Sequence, residues 1–288
     1  MGGPQAGGGH LPVVLIHLGS RPPRFIETCV KQVASVSGYN PTVVGPRTGA
    51  RYRNTKLDRF RSSERLSKLG LRGFWRYTCE RLFVLEEHML GLGVDRCLHI
   101  ESDVLLYMPP AEYDEWLNLR YGSAVAVCPL TDTEDTAAIM YVGSRASLSR
   151  FNDALLDLVE LGPERLLETY GGEMANEMRM LYLLREQGLA EALPTTIPDG
   201  EALEAPCLFD PASYGQWVGG THSKPGIAWA GSHHAIGREF IADRYEVVWD
   251  AWRRPSARLV DHPDATLWRL ANLHIHSKRL RTWAWAKS

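Results

Sequence analysis

Short apolar segments alternate with amphipathic segments along most of the chain. The run LPVVLIHLG at 11–19 ends in a Gly-Ser-Arg-Pro-Pro turn, which is typical of a buried parallel strand. The next segment, 24–38, repeats apolar residues at helical spacing and stops at a glycine. Because the apolar run NPTVVGP follows at once, residues 11–46 predict a β-α-β unit.

The same alternation continues through the middle of the chain. A long amphipathic segment at 73–93 precedes an apolar strand within 96–110. Two further strands are predicted at 123–130 and 137–144, and a helix is predicted at 147–162. The helical pattern then continues to residue 188 with a break at Gly171-Gly172. This order of elements predicts an α/β fold whose ligands bind at the carboxyl ends of the strands.

Two stretches lack a clear period. Residues 47–70 are polar and rich in arginine, a pattern that usually marks a solvated face. Residues 194–225 are rich in proline, glycine and threonine, so we expect a loop around a functional face. Beyond them, 246–252 is strand-like and a histidine-rich segment closes the chain.

Composition restricts the class of protein. The 288 residues are 44% hydrophobic and 23% charged, the balance of a globular domain, which we place at 11–288 after a disordered leader at 1–10. A net charge of -2 provides no field for holding nucleic acid. Five widely spaced cysteines indicate neither a disulfide framework nor a zinc site. Without a signal peptide or a transmembrane segment of ~20 apolar residues, we expect a cytoplasmic protein.

Two acids interrupt the apolar strand within 96–110. Glu101 and Asp103 bracket Ser102 directly after the run CLHI, and buried carboxylates are costly unless a cation compensates their charge. Carboxylate oxygens suit Mg²⁺ or Mn²⁺. The alternative is that both acids are exposed or paired with arginines such as Arg76 and Arg81.

A second polar segment, NLHIHSK, lies near the end of the chain. His274 and His276 are two apart and share a face only if the chain is extended, and Lys278 follows them. Imidazole suits Mn²⁺, and an ammonium suits a diphosphate oxygen. The residues alone do not separate the two histidines as metal ligands.

With strand 11–19, the acidic motif and the histidine-rich segment, the chain resembles GT-A glycosyltransferases. The resemblance implies a Rossmann-like α/β fold with a mixed, mostly parallel central sheet flanked by helices. It implies that His17 and Gly19 lie where the nucleotide base binds and that Asp103 holds Mn²⁺ or Mg²⁺, with Glu101 as a variant first acid. Ser102, between the acids, is a further candidate for the nucleotide. Residues 11–110 would form the nucleotide-binding half, and 111–288 the acceptor half with a closing C-terminal segment.

The C-terminal segment is similar to that of the retaining galactosyltransferase and glycogenin-like group. In that group a late histidine completes the metal shell and a lysine meets the phosphates, although its longer His-x-x-Gly-x-x-Lys-Pro-Trp form is absent here. The chain also resembles a bacterial group of sugar transferases with an LHIHSK ending and an upstream motif. That motif is matched by Phe209, Asp210, Gly215, Gln216, Gly219 and Gly220.

Four further residues are candidates for the site. Glu177, near the start of a late helix, and Asp210 are candidates for orienting an acceptor hydroxyl or binding sugar hydroxyls. Arg76 and Arg81 lie on the helix before the acidic strand. An arginine there contacts phosphate or holds Glu101, and both alternatives stay open at this point.

These observations predict a metal-dependent glycosyltransferase, and the resemblance of the histidine and lysine segment implies transfer with retention. The donor would be a nucleotide-sugar, with a UDP-sugar favoured and a GDP-sugar as the other option, and the acceptor a small molecule or glycan. One alternative is a nucleotidyltransferase acting on a sugar phosphate, but the turn after strand one has a single glycine and no phosphate loop. Another is a non-catalytic protein that binds a nucleotide-sugar or carbohydrate, with the metal site lost through Glu101.

Overall fold

The computed structural model describes residues 10–19, 22–65, 74–172, 175–197, 204–219, 245–259 and 266–285. In chain order the strands are β1 (Val13–Ile16), β2 (Thr42–Val44), β3 (Cys97–Ile100), β4 (Val104–Leu106), β5 (Val125–Pro129), β6 (Asp135–Val142), β7 (Glu191–Ala192), β8 (Tyr245–Trp249), β9 (Pro255–Leu259), β10 (Trp268–Arg269) and β11 (Asn272–His274). The helices are α1 (Phe25–Ser37), α2 (Pro46–Gly49), α3 (Thr55–Ser62), α4 (Phe74–Leu92), α5 (Asp114–Tyr121), α6 (Arg145–Leu161), α7 (Pro163–Tyr170), α8 (Glu177–Glu186), α9 (Ser213–Gly219) and α10 (Leu280–Trp283).

Six strands form the central sheet in the order β2-β1-β3-β6-β5-β7. β1 pairs in parallel with β2 and β3, and β5 pairs in parallel with β7. β6 is antiparallel to both of its neighbours, β3 and β5. The predicted α/β fold, with a mixed and mostly parallel central sheet flanked by helices, is therefore confirmed.

Both faces of the central sheet are covered by apolar side chains. Along β1, Val13 and Leu15 pack into the core that includes residues of α1, whereas Val14 and Ile16 pack into the core that includes residues of α4, α6 and α8. A strand buried on both faces has no polar alternation, which explains the continuous apolar runs in the sequence. The carboxyl ends of β1 and β3 lie at one edge because the two strands are parallel and Leu15 pairs with Ile100.

Two smaller sheets complete the side of the sheet that carries α1. β8, β9 and β10 form an antiparallel sheet, and β11 pairs antiparallel with β4. β4 therefore leaves the central sheet directly after β3, although the sequence shows one nearly continuous apolar stretch. This departure brings the C-terminal strand β11 next to the acidic turn at 101–103, because His274 pairs with Val104.

Several element predictions are confirmed. α1 ends before Gly38, whose φ of 78° closes the helix in the left-handed conformation. The break at Gly171-Gly172 separates α7 from α8.

The five cysteines are buried and free, and no described helix has the length and apolarity to cross a membrane.

Two stretches predicted to be irregular contain helices. Residues 47–70 include α3, which is capped by the Asn54 side chain and buries Leu57 and Phe60. Residues 194–225 include α9. Both helices are short and carry few apolar positions, so their periodic signal is weak. The predicted leader lies outside the described residues, except for His10.

Candidate active site

The acidic motif lies at the carboxyl end of β3, in the middle of the central sheet. Glu101 continues the pairing with β6, since its backbone N–H donates to Ala138 O at 2.9 Å. The chain then turns, and the Val104 N–H donates back to Glu101 O at 3.2 Å. Asp103 is only 3% exposed. A carboxylate with so little water around it needs a cationic or hydrogen-bonding partner.

Arg81 joins two carboxylates beneath the turn. It comes from the middle of α4, and its Nη2 lies 2.6 Å from Glu101 Oε1 and 2.9 Å from Glu177 Oε1. Of the alternatives left open by the sequence, the geometry favours an arginine that holds Glu101. Burial raises the pKa of Glu101, but Arg81, His274 and Lys278 outweigh it and lower that pKa to about 2. Glu101 is therefore a carboxylate at neutral pH.

Glu177 occupies the first turn of α8, where Asn176 caps the helix by accepting from Arg179 N at 2.8 Å. The Glu177 side chain is 3% exposed, and its Oε1 accepts a hydrogen bond from Arg81 Nη2. Burial raises the pKa of Glu177 to about 7, which Arg81 opposes and Glu101 reinforces. In this arrangement the Glu177 carboxylate holds the Arg81 guanidinium in position. The predicted role of orienting an acceptor hydroxyl stays a prediction.

The C-terminal segment supplies two partners for Asp103. His274 Nε2 lies 3.1 Å from Asp103 Oδ2 and 3.5 Å from Glu101 Oε2. Lys278 Nζ also contacts Asp103 Oδ2, and Lys278 has a φ of 61°, the left-handed region that a lysine rarely adopts. Backbone strain of this kind accumulates at functional sites.

The group Glu101, Asp103 and His274 fits a divalent cation. Each residue offers one ligand atom, and the three atoms all lie within 4.8 Å of one another. Two carboxylate oxygens and one imidazole nitrogen suit Mn²⁺ or Mg²⁺, with Mn²⁺ better matched to the nitrogen. Three protein ligands leave coordination positions for water or for oxygens of a bound molecule.

The structure favours His274 over His276 as a metal ligand. Both histidines would face one site only if the chain were extended, but it turns after β11, with the His276 N–H donating to His274 O at 3.0 Å. The two rings meet edge to face with centroids 6.0 Å apart. His276 therefore packs against the ring of His274.

Asp210 has a structural role that the sequence prediction did not anticipate. Its Oδ1 accepts from Ala212 N at 3.0 Å and Tyr214 N at 2.9 Å. Its Oδ2 accepts from Gly215 N at 2.7 Å and His274 N at 2.8 Å. The carboxylate that was expected to bind sugar hydroxyls thus accepts from four backbone amides. We infer that Asp210 instead fixes β11 against the start of α9.

Asn272 completes the same clamp and was missed from the sequence. Its Oδ1 accepts from Asp210 N at 3.0 Å, and its Nδ2 donates to Asp210 O at 2.9 Å. The available signal was an amide side chain within the otherwise apolar run before His274, because a buried amide must find hydrogen-bond partners. We name Asp210 and Asn272 together the β11 clamp.

The remaining candidates lie at varying distances from this group. His17 follows β1 at the same edge as Glu101, and Gly19 leaves room for its ring, since a Cβ on Gly19 would lie 2.8 Å from His17 Nε2. Ser102 is half-buried in the turn between the acids. Among the described contacts, Arg76 pairs with neither Glu101 nor Asp103. Its Nε lies 3.7 Å from Glu80 Oε2 on the same helix.

No protein-family model and no curated protein matches the chain. It is similar to solved structures of glycosyltransferases. These include a glycosyltransferase involved in the glycosylation of the major capsid of PBCV-1 (11% identity, TM-score 0.34, covering 56% of this chain and 76% of that chain). Mouse xyloside xylosyltransferase 1 is also similar, with 9% identity and a TM-score of 0.42 over 64% of this chain and 85% of that chain. The glycosyltransferase GlyE of Streptococcus pneumoniae TIGR4 has 14% identity and a TM-score of 0.38 over 64% of this chain and 45% of that chain. At these TM-scores none of them decides the activity, which has to be argued from the site.

The β11 clamp predicts a stability effect for Asp210→Asn. The amide places an NH₂ group against two backbone N–H donors, so we expect the free energy of unfolding to fall by about 2–4 kcal/mol. Urea denaturation measures this change.

Asp250→Asn is the matched control, because Asp250 also accepts two backbone N–H groups but does so at the surface. It should change stability by less than ~1 kcal/mol. An Asp210→Asn variant with wild-type stability and a raised KM for a sugar substrate would restore the original assignment.

Proposed function

We propose that this chain is a glycosyltransferase that moves a sugar from a nucleoside-diphosphate-sugar to a hydroxyl group of a small molecule or glycan. The observation that carries the proposal is the convergence of Glu101, Asp103 and His274 at the carboxyl end of β3. Ligands of open α/β sheets bind outside this edge. The ending of the neighbouring strand β1, with His17 and Gly19, lies there too.

The charges around the group suit a diphosphate. Arg81 neutralises Glu101, and Lys278 brings a second cation to Asp103. Glu101, Asp103 and His274 would hold a divalent cation, Mn²⁺ or Mg²⁺, which would supply Lewis-acid stabilisation of the charge that grows on the leaving nucleoside diphosphate. A UDP-sugar is the favoured donor and a GDP-sugar the second choice, both from the resemblance in sequence.

Lys278 is the residue that we expect to contact both Asp103 and the donor diphosphate. Its ammonium contacts Asp103, and partial burial lowers the pKa of Lys278 to about 8, against the opposing effect of Glu101. A protonated Lys278 donates hydrogen bonds to a diphosphate oxygen once such an oxygen is near, and it then no longer has to neutralise Asp103. The lysine therefore links cation binding to donor binding.

Arg81 and Glu177 position the first acid. Arg81 keeps Glu101 ionised and fixed, and Glu177 keeps Arg81 from turning away. Transfer with retention rests on the resemblance of the histidine and lysine segment alone. No contact in the described part of the chain favours the nucleotidyltransferase alternative.

Turnover gives the direct test of this function. Wild-type protein incubated with a panel of UDP-sugars and GDP-sugars in MnCl₂ should release the nucleoside diphosphate slowly from one of them, even without an acceptor. Asp103→Asn should reduce that rate by at least about 100-fold, a barrier increase of ~2.7 kcal/mol, because it removes charge and keeps shape.

The control is Asp95→Asn, which changes an exposed aspartate just before β3, at the opposite end of that strand. Its rate should match the wild type. Release of no nucleoside diphosphate from any donor, or an Asp103→Asn variant that keeps more than about a tenth of the rate, would contradict the proposal.

A second expectation concerns competition for Asp103. Since Lys278 and the cation would both draw on the charge of the Asp103 carboxylate, Lys278→Met should raise the affinity for Mn²⁺ alone by about fivefold or more, ~1 kcal/mol. Titration followed by the EPR signal of free Mn²⁺ measures it without nucleotide. Lys31→Met, which removes an exposed ammonium from α1, should leave the affinity unchanged. Weaker Mn²⁺ binding in Lys278→Met would show that the lysine supports the cation instead of competing with it.

A further inference from the structure

Outside the candidate active site, a surface rich in arginine lies where the β8–β9 turn meets α10. The turn exposes Trp252, Arg253 and Arg254. Arg279, directly before α10, and Arg281, within it, are also exposed. We name these five residues the Trp252 surface. Trp252 is 75% exposed, among the most exposed of the large hydrophobic side chains described. An indole left in water at a loop tip has no role in the core.

Hydrogen bonds hold the turn and the helix together. Arg253 Nη2 donates to Thr282 O at 3.1 Å, and Trp285 Nε1 donates to Arg253 O at 2.7 Å. Within the turn, Asp250 Oδ1 accepts from Trp252 N at 2.9 Å and Arg254 N at 2.7 Å. The arginines and the indole are therefore presented by a structured turn and not by a free chain end.

A packed aromatic base supports this turn. Trp249 stacks on Trp283 with ring centroids 5.8 Å apart, and Tyr107 meets Trp249 and Trp285 edge to face, each at 5.7 Å. Arg254 lies over the ring of Trp285 at 5.7 Å. The inner rings are thus already in contact with protein, whereas Trp252 projects outward beside the arginines.

Positive charge predominates among the described residues of this surface. In the part of the chain that the structure describes, none of the four arginines forms an ion pair with a carboxylate, whereas other exposed arginines such as Arg59 and Arg269 do. Asp250 is the one acid within the turn itself. Four arginines and one aspartate give a local charge of +3 in a chain whose net charge is -2.

We propose that the Trp252 surface binds an anionic phospholipid bilayer. Tryptophan prefers the membrane–water interface, where its ring enters the headgroup region. Each arginine near an anionic membrane contributes about 1 kcal/mol. An exposed indole flanked by unpaired arginines matches both requirements, and single contributions of this size add up to reversible, peripheral binding.

This surface is next to the candidate active site along the chain. Arg279 directly follows Lys278, whose ammonium contacts Asp103. Binding at the Trp252 surface would hold the site close to the bilayer. Membrane binding does not depend on the proposed glycosyl transfer, so each can fail without the other.

Vesicle co-sedimentation tests the proposal. The wild type should bind vesicles of phosphatidylcholine with about 40% phosphatidylglycerol at least tenfold more tightly than pure phosphatidylcholine, and raising NaCl from ~0.05 to ~0.5 M should weaken the binding. Trp252→Ala and Arg281→Glu should each reduce binding about threefold or more. Both residues are exposed, so the far-UV circular dichroism spectrum and the thermal midpoint should stay at the wild-type values.

The matched controls are Leu90→Ala on α4 and Arg165→Glu on α7. They make the same kinds of change on the other side of the central sheet, and Leu90 is 53% exposed. Both should bind vesicles like the wild type. Equal binding to the two vesicle types, no binding, or equal losses in the controls would overturn the proposal. Tighter binding to RNA than to anionic vesicles, unaffected by Trp252→Ala, would also overturn it and make the surface a polyanion site.

Discussion

The structure depends on compensating two carboxylates at the end of a buried strand. All four residues of β3 are buried, and the chain then places Glu101 and Asp103 directly after the carboxyl end of this strand. Leaving such charges unpaired costs several kcal/mol, and breaking a buried pair costs ~3–5 kcal/mol. Arg81 from α4 and Lys278 from the C-terminal segment meet this requirement. The need for counter-ions thus brings together elements that are far apart in sequence.

The sequence predicted the elements well where one periodic signal was sufficient. The apolar runs of β1 and β3, the helix that ends at Gly38 and the break at Gly171-Gly172 all follow from spacing and from backbone preferences. It predicted less where pairing decides the outcome. β4 is as apolar as β3, and nothing in its side chains shows that it pairs with β11 instead of joining the central sheet.

The candidate site shows the same division. Acids in a buried run indicated a charged site, because burial makes their cost predictable. Asp210 was predicted to bind sugar hydroxyls, whereas in the structure its carboxylate accepts from four backbone amides. The two roles look identical in sequence. The choice between His274 and His276 depended on where the chain leaves the extended conformation, which is set by the pairing of β11 and by the β11 clamp. Long-range contacts of this kind leave no local pattern.

In the proposed site, one divalent cation is held by Glu101, Asp103 and His274 and binds the donor diphosphate. Isothermal titration calorimetry of UDP and GDP with the wild-type protein, first in MnCl₂ and then in EDTA, tests that claim most directly. We predict that one nucleoside diphosphate binds at least about tenfold more tightly with Mn²⁺ than with EDTA, a difference of ~1.4 kcal/mol. Equal affinity in Mn²⁺ and in EDTA would contradict it.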